Sequence, residues 1–119
     1  MNATKAACYR LIQVVTLKQY PICRVPGCNL KASAGHHAFP RNRLGTAFNP
    51  KAVISLCLGH HTFGSFSAHE SPELFEPVIK SIIGDEYETL RKLSLMSVQF
   101  HENDYQRIRK ILDRLLKGG

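Results

Sequence analysis

The chain has 119 residues, 44% of them hydrophobic, with sixteen Lys and Arg against nine Asp and Glu and a formal net charge of +7. That length supports one core and excludes an array of domains, and no stretch reaches the roughly 18–20 apolar residues that span a bilayer. The basic excess is lopsided: eight basic and no acidic residues precede Glu70, while the last fifty residues are nearly balanced, which is the electrostatic footprint of a polyanion such as DNA.

In chain order, residues 3–19 carry apolar positions interleaved with Lys and Arg and predict a helix that Tyr20-Pro21 closes, because the residue before proline disfavours helical geometry. From Cys23 to Pro50 the composition turns to Gly, Pro, Asn and basic residues, with a tight turn at Pro26-Gly27 and a solvated loop around Arg41-Asn42-Arg43-Leu44-Gly45. The run Val53 to Leu58 predicts a buried strand, pairing as a long-looped hairpin with a segment that ends near Ala38-Phe39. His60-His61 should open a helix after that strand. Beyond Glu70 the pattern is helical: Ser71 as N-cap, Pro72 at the first position, and Leu74, Phe75, Val78, Ile79 and Ile82 on one face up to Gly84. Asp85 is placed to cap a further helix to about Ser94. Asn103 with Gln106 resembles a capping box ahead of the stripe Ile108, Ile111, Leu112, Leu115, which reads as core or as a dimer face. The expectation is an α+β fold in one domain over 1–119, with an N-terminal helix (1–20), a zinc-stapled core (21–70) and a helical C-terminal part (71–119). With no signal-peptide pattern, a soluble cytoplasmic protein without a membrane partner is expected.

The same absence makes the cysteines candidates for metal before disulfides. Cys23 and Cys28 flank the Pro-Gly turn, and Cys57 and His60 are separated by two residues. Two such knuckles make a closed tetrahedral set, so Cys23, Cys28, Cys57 and His60 are candidates for a structural zinc, which a domain this small uses for folding free energy. Cys8 has no partner and reads as a small buried hydrophobe.

The histidines come doubled, at His36-His37 and His60-His61, with His69 eight residues on. Neighbours on a helix or an extended strand point in different directions, so each pair can divide its work between two tasks. Phosphodiester hydrolysis needs an activated water and neutralisation of the charge that develops on phosphate and leaving oxygen. Neutral imidazole suits the first task and a divalent cation the second. We therefore assign His37 as general base and His36, His61 and His69 as ligands of one catalytic divalent metal, with manganese, nickel or zinc better suited to imidazole than magnesium.

The runs Ala34-Gly35-His36-His37-Ala38-Phe39-Pro40-Arg41 and Ile54-Ser55-Leu56-Cys57-Leu58-Gly59-His60-His61 resemble the two motifs of the HNH (ββα-metal) endonuclease superfamily. The doubled histidines, with Gly64, His69, Phe75 and Gly84-Asp85-Glu86 after them, are similar in particular to its phage RecA-dependent nuclease branch. The likeness covers roughly residues 20–90. It implies a β-hairpin and a helix clasping a metal, DNA as substrate, 5′-phosphate and 3′-hydroxyl products, and a setting in phage or host recombination or replication. The superfamily's middle asparagine is expected five residues before the motif cysteine, where this chain has Ala52, and Asn49 is the nearest substitute for that catalytic role. A second metal histidine is expected at the position of Ser65, so His69 takes its place, which requires the helix to break or bend near Gly64. Arg41, Arg43 and Lys51, on the loop between the motifs, are expected to contact DNA phosphates without reading sequence. The competing reading is a non-catalytic zinc module that binds nucleic acid or a partner protein, and it leaves His36, His37, His61 and His69 without a task.

Overall fold

The computed structural model describes residues 2–118. Helix α1 (Ala3–Gln19) begins where Asn2 accepts a hydrogen bond from the Lys5 amide at 2.7 Å, and it ends at Tyr20, ahead of Pro21. The Asn2 side chain thereby satisfies one of the orphan donors of the first turn. Strands β1 (Ala34–His37) and β2 (Val53–Leu56) form an antiparallel hairpin in which His36 faces Ile54 and His37 faces Val53. Helices α2 (Pro72–Ile83), α3 (Tyr87–Leu95) and α4 (Glu102–Gly118) complete an α+β fold. Among the described residues no helix is long and apolar enough to cross a membrane.

Strand β2 divides the interior in two. All four of its residues are buried, which explains an unbroken apolar run where a one-sided strand would alternate. Its faces still alternate in what they meet. Ile54 and Leu56 join Phe39, Phe75, Ile79, Tyr87 and Leu90 in the core beneath α2 and α3, whereas Val53 joins Ile12, Val15, Phe48, Tyr105 and Leu112 between α1 and α4. On that second side Ser55 satisfies its buried hydroxyl by donating to the Thr16 carbonyl at 3.1 Å. Cys8 is fully buried there and its thiol donates to the Tyr105 carbonyl at 3.3 Å.

Several expected boundaries move. The helix expected at His60-His61 is a single π-helical turn, Gly59–Phe63, and it breaks at Gly64 into an extended conformation, as the return of His69 requires. A Cβ on Gly64 would lie 2.6 Å from the Gly59 carbonyl oxygen, so the exit depends on glycine. Ser71 stands at the head of α2 but does not cap it, because its hydroxyl donates to the Ser65 carbonyl. Leu74 faces solvent, while Phe75 and Ile79 are buried and Val78 and Ile82 pack partly buried beside them, as the stripe predicted. Asp85 lies inside a 3₁₀ turn, Gly84–Glu86, and α3 begins only at Tyr87. Asn103 is already inside α4, where Asp104 accepts from the His101 amide at 2.8 Å and so occupies the place expected for a capping-box partner. In the α4 stripe Leu112 is buried against α1, while Ile111 is exposed.

Candidate metal centres

The cysteine cluster is assembled from three short pieces of backbone. Cys23 lies on the extended segment after α1 and bonds its amide to the Leu30 carbonyl. Cys28 leaves the Pro26-Gly27 turn with its amide on the Val25 carbonyl. Gly27 sits at φ +83°, a left-handed conformation that favours glycine. Cys57 follows the last residue of β2, and the π-helical turn after it brings His60 back over the two thiols.

The separations are 3.5 Å from Cys23 Sγ to His60 Nδ1, 3.3 Å from Cys57 Sγ to His60 Nδ1, and 3.9 Å from Cys28 Sγ to Cys57 Sγ. Four tetrahedral ligands around zinc stand about 3.8 Å apart for two sulfurs and about 3.5 Å apart for sulfur and nitrogen, given bond lengths of about 2.3 and about 2.0 Å. The donor set therefore fits that ion. Burial pushes the Cys23 thiol up to about 11. At Cys57 burial acts the same way but is outweighed by the His60 amide and the neighbouring thiols, which hold it below the ordinary thiol value. Burial thus opposes ionisation of Cys23, and a bound cation would favour its thiolate.

The second cluster is made of imidazoles alone. His36, His61 and His69 place one ring nitrogen each within 4.8 Å of the others. Their rings meet edge to face at centroid distances of 5.4, 5.4 and 4.6 Å. His61 and His69 bring their Nε2 atoms to 3.1 Å, between the roughly 3.0 Å of adjacent octahedral ligands and the roughly 3.4 Å of tetrahedral ones around an ion bound at about 2.1 Å. The return of His69 is a backbone event. After Gly64 the chain doubles back, and the amides of Ala68 and His69 bond to the carbonyls of His60 and His61 at 2.8 and 3.1 Å. Burial, reinforced by His61, His69 and His37, pushes His36 down to about 4, and burial with His69 also lowers His61. These two rings are neutral at pH 7, the state in which imidazole offers a lone pair to a metal.

His37 stands apart from the three. In the hairpin register it shares its face with Val53, on the α1 side, whereas His36 shares its face with Ile54. Its Nε2 lies 2.9 Å from the Ala47 carbonyl oxygen. A carbonyl can only accept, so Nε2 carries the proton and Nδ1 keeps its lone pair. Burial lowers the His37 pKa, with Arg41 adding to the effect and the Ala47 carbonyl opposing it. All four histidines line one cavity of about 490 Å³, whose other wall includes Tyr9, Gln13, Pro40 and Arg41.

Two assigned residues lie elsewhere. Asn49 does not reach His37: its side chain accepts from the Lys51 amide at 2.9 Å, capping the 3₁₀ turn Pro50–Ala52, and it borders a different cavity beside Tyr20 and Ile83. The Ala47 carbonyl makes the contact with His37 instead. Lys51 also borders that second cavity and pairs with Glu86 at 3.0 Å, so its charge is already answered. Arg41, by contrast, lines the histidine cavity with its guanidinium 4.5 Å from the Tyr9 ring centroid. Arg43 is exposed on the same loop. Sequence reasoning missed Tyr9 and Gln13. They stand four residues apart on one face of α1, and nothing local indicates that this face looks onto histidines more than twenty residues away.

Comparison of the chain with protein-family models, with curated proteins and with solved structures finds no match.

Proposed function

We propose that the chain is a metal-dependent endonuclease of the HNH type, hydrolysing phosphodiester bonds in DNA. In this reading Cys23, Cys28, Cys57 and His60 hold a structural zinc, while His36, His61 and His69 hold a catalytic divalent metal. The observation that carries it is the shared cavity. Three imidazoles cluster there, those of His36 and His61 neutral, and a fourth, with an unprotonated Nδ1, borders the same space without belonging to the cluster. A bound divalent cation would supply Lewis-acid neutralisation of the phosphate and of the departing oxygen. His37 takes the proton of the attacking water at Nδ1, with the ring held in the required tautomer by the Ala47 carbonyl. Water attack on phosphorus with departure of the 3′ oxygen leaves 5′-phosphate and 3′-hydroxyl ends. Arg41 and Arg43, on the loop beside the cavity, offer cationic contacts for the flanking phosphates and position the strand without reading its bases. The setting that accompanies the resemblance is recombination or replication of a phage or its host.

The test is a plasmid-nicking assay with magnesium, manganese, nickel and zinc in turn, using His37→Ala as control. Cleavage by the parent with at least one ion, lost in the variant, is the expected result. A parent that cuts with none of them, or a variant that cuts at the parental rate, overturns the proposal. Metal stoichiometry separates it from a non-catalytic zinc module, which needs one tightly held ion and has no use for a second, exchangeable one.

A further inference from the structure

Strand β1 is an edge strand with one partner, and an edge leaves a row of backbone groups to be satisfied by something else. The Ala38 amide bonds to the Ala52 carbonyl, which marks the even-numbered residues as those hydrogen-bonded to β2. By the alternation of an antiparallel ladder, the N–H and C=O of Gly35 then face the open edge. Both are taken by one side chain. Gln13 donates from Nε2 to the Gly35 carbonyl and accepts at Oε1 from the Gly35 amide, each at 2.8 Å. A single carboxamide thus does for one residue what a third strand would do.

The close approach depends on Gly35 itself. A Cβ there would come within 2.8 Å of Val53 Cγ1, 3.2 Å of Thr16 Cγ2 and 3.3 Å of Gln13 Oε1. The clamp thus holds α1 against the residue that immediately precedes His36 and His37. Apolar packing of the neighbouring α1 residues keeps the helix near the strand, and pairing with β2 sets the strand's register, but neither ties α1 directionally to the Gly35 backbone. A two-point hydrogen bond does.

We infer that Gln13 is a positioning residue for the tandem histidines, setting both the metal-facing ring of His36 and the water-facing ring of His37 through the Gly35 backbone. The inference rests on the nuclease reading above for its catalytic half. Its metal half stands on the geometry of the three-histidine cluster alone. Partners that orient metal ligands without touching the metal are commonly worth about 10- to 100-fold in metal affinity or activity.

The experiment uses the full chain with its zinc equivalent and compares the parent with Gln13→Met, which keeps the volume and loses both bonds, and Gln13→Glu, which keeps the acceptor for the Gly35 amide. Manganese affinity is read by electron paramagnetic resonance and cleavage by steady-state kinetics on plasmid. We expect Gln13→Met to bind manganese about tenfold more weakly and to lose about 10- to 100-fold in kcat, with KM for DNA within about twofold of the parent. Gln13→Glu, whose carboxylate sets an acceptor against the Gly35 carbonyl, should be impaired in the same direction. Manganese affinity and kcat unchanged in Gln13→Met overturn the inference. If Gln13→Met does not fold, Gln13→Glu takes its place, and parental affinity and kcat in that variant overturn the inference equally. A parent that binds manganese without cutting DNA removes the nuclease reading and leaves the clamp to be judged on affinity. A parent that binds no manganese removes both.

Discussion

The two donor clusters draw on one backbone turn and come out opposite in character. His60 and His61 are neighbours on the π-helical turn Gly59–Phe63, yet one closes a four-donor set with Cys23, Cys28 and Cys57 and the other joins a three-donor set with His36 and His69. In the first, Cys23 and Cys57 are buried and every tetrahedral position has a protein ligand. In the second, His69 is exposed and the cluster opens onto the cavity that also holds His37 and Arg41. A complete, buried set suits a metal that holds the fold together. An incomplete set beside a cavity leaves coordination positions for water and substrate. Consecutive residues serve both because their side chains leave the turn in different directions.

Perturbing each cluster in turn puts this contrast to the test. The closed set should respond most strongly. Cys57→Ser should lose the zinc equivalent and with it several kcal/mol of stability, on the order of what a small domain gains from a structural metal. Zinc content and thermal melting read this directly, and a variant that melts with the parent would remove the structural role. His37→Ala should lower cleavage by about 10²- to 10⁴-fold, the usual worth of a general base, while manganese affinity and melting stay at parental values. A drop in manganese affinity of similar size would instead make His37 a ligand.

The next effect concerns pH. His36 sits at about 4 in the folded chain because of burial and the neighbouring imidazoles. When unfolded it titrates near the ordinary histidine value of about 6.5. Between those values the unfolded chain takes up a proton that the folded chain refuses. Stability is therefore fully present above about 6.5 and falls with pH toward 4, by at most about 3.5 kcal/mol. Urea midpoints at pH 7.5 and 4.5, in protein holding one equivalent of zinc, should differ more for the parent than for His36→Gln. An equal midpoint difference in the two proteins would show that His36 does not carry this pH dependence.

Lys51→Ala should do least. Its partner Glu86 is exposed, as Lys51 is, and exposed ion pairs contribute at most about 1 kcal/mol. Stability should move by less than that. The salt dependence of DNA binding should change less than it does for Arg41→Ala, whose side chain borders the histidine cavity. A larger loss for Lys51→Ala would move the DNA track to the second cavity.

Features that depend on neighbours along the chain were readable before any coordinates. The span of α1, the buried run that becomes β2, the Pro26-Gly27 turn and the knuckle from Cys57 to His60 are all written within a few residues of themselves, because turn chemistry, periodicity and ligand spacing are local. That His36 and His37 face opposite sides of the hairpin was legible for the same reason, since adjacent side chains on a strand must diverge. The break at Gly64 after β2 followed only from the need to return His69, and no local signal fixed the path the chain takes beyond it. Gly64 is open to several conformations, and the backbone bonds from Ala68 and His69 to the carbonyls of His60 and His61 select among them. Nor could the sequence say that Ala47, not Asn49, meets His37, or that Gln13 closes the strand edge. Those contacts join residues ten and twenty-two positions apart, and they use backbone groups that every residue carries. Only the packing of α1 and the long loop against the hairpin decides which of those groups are used.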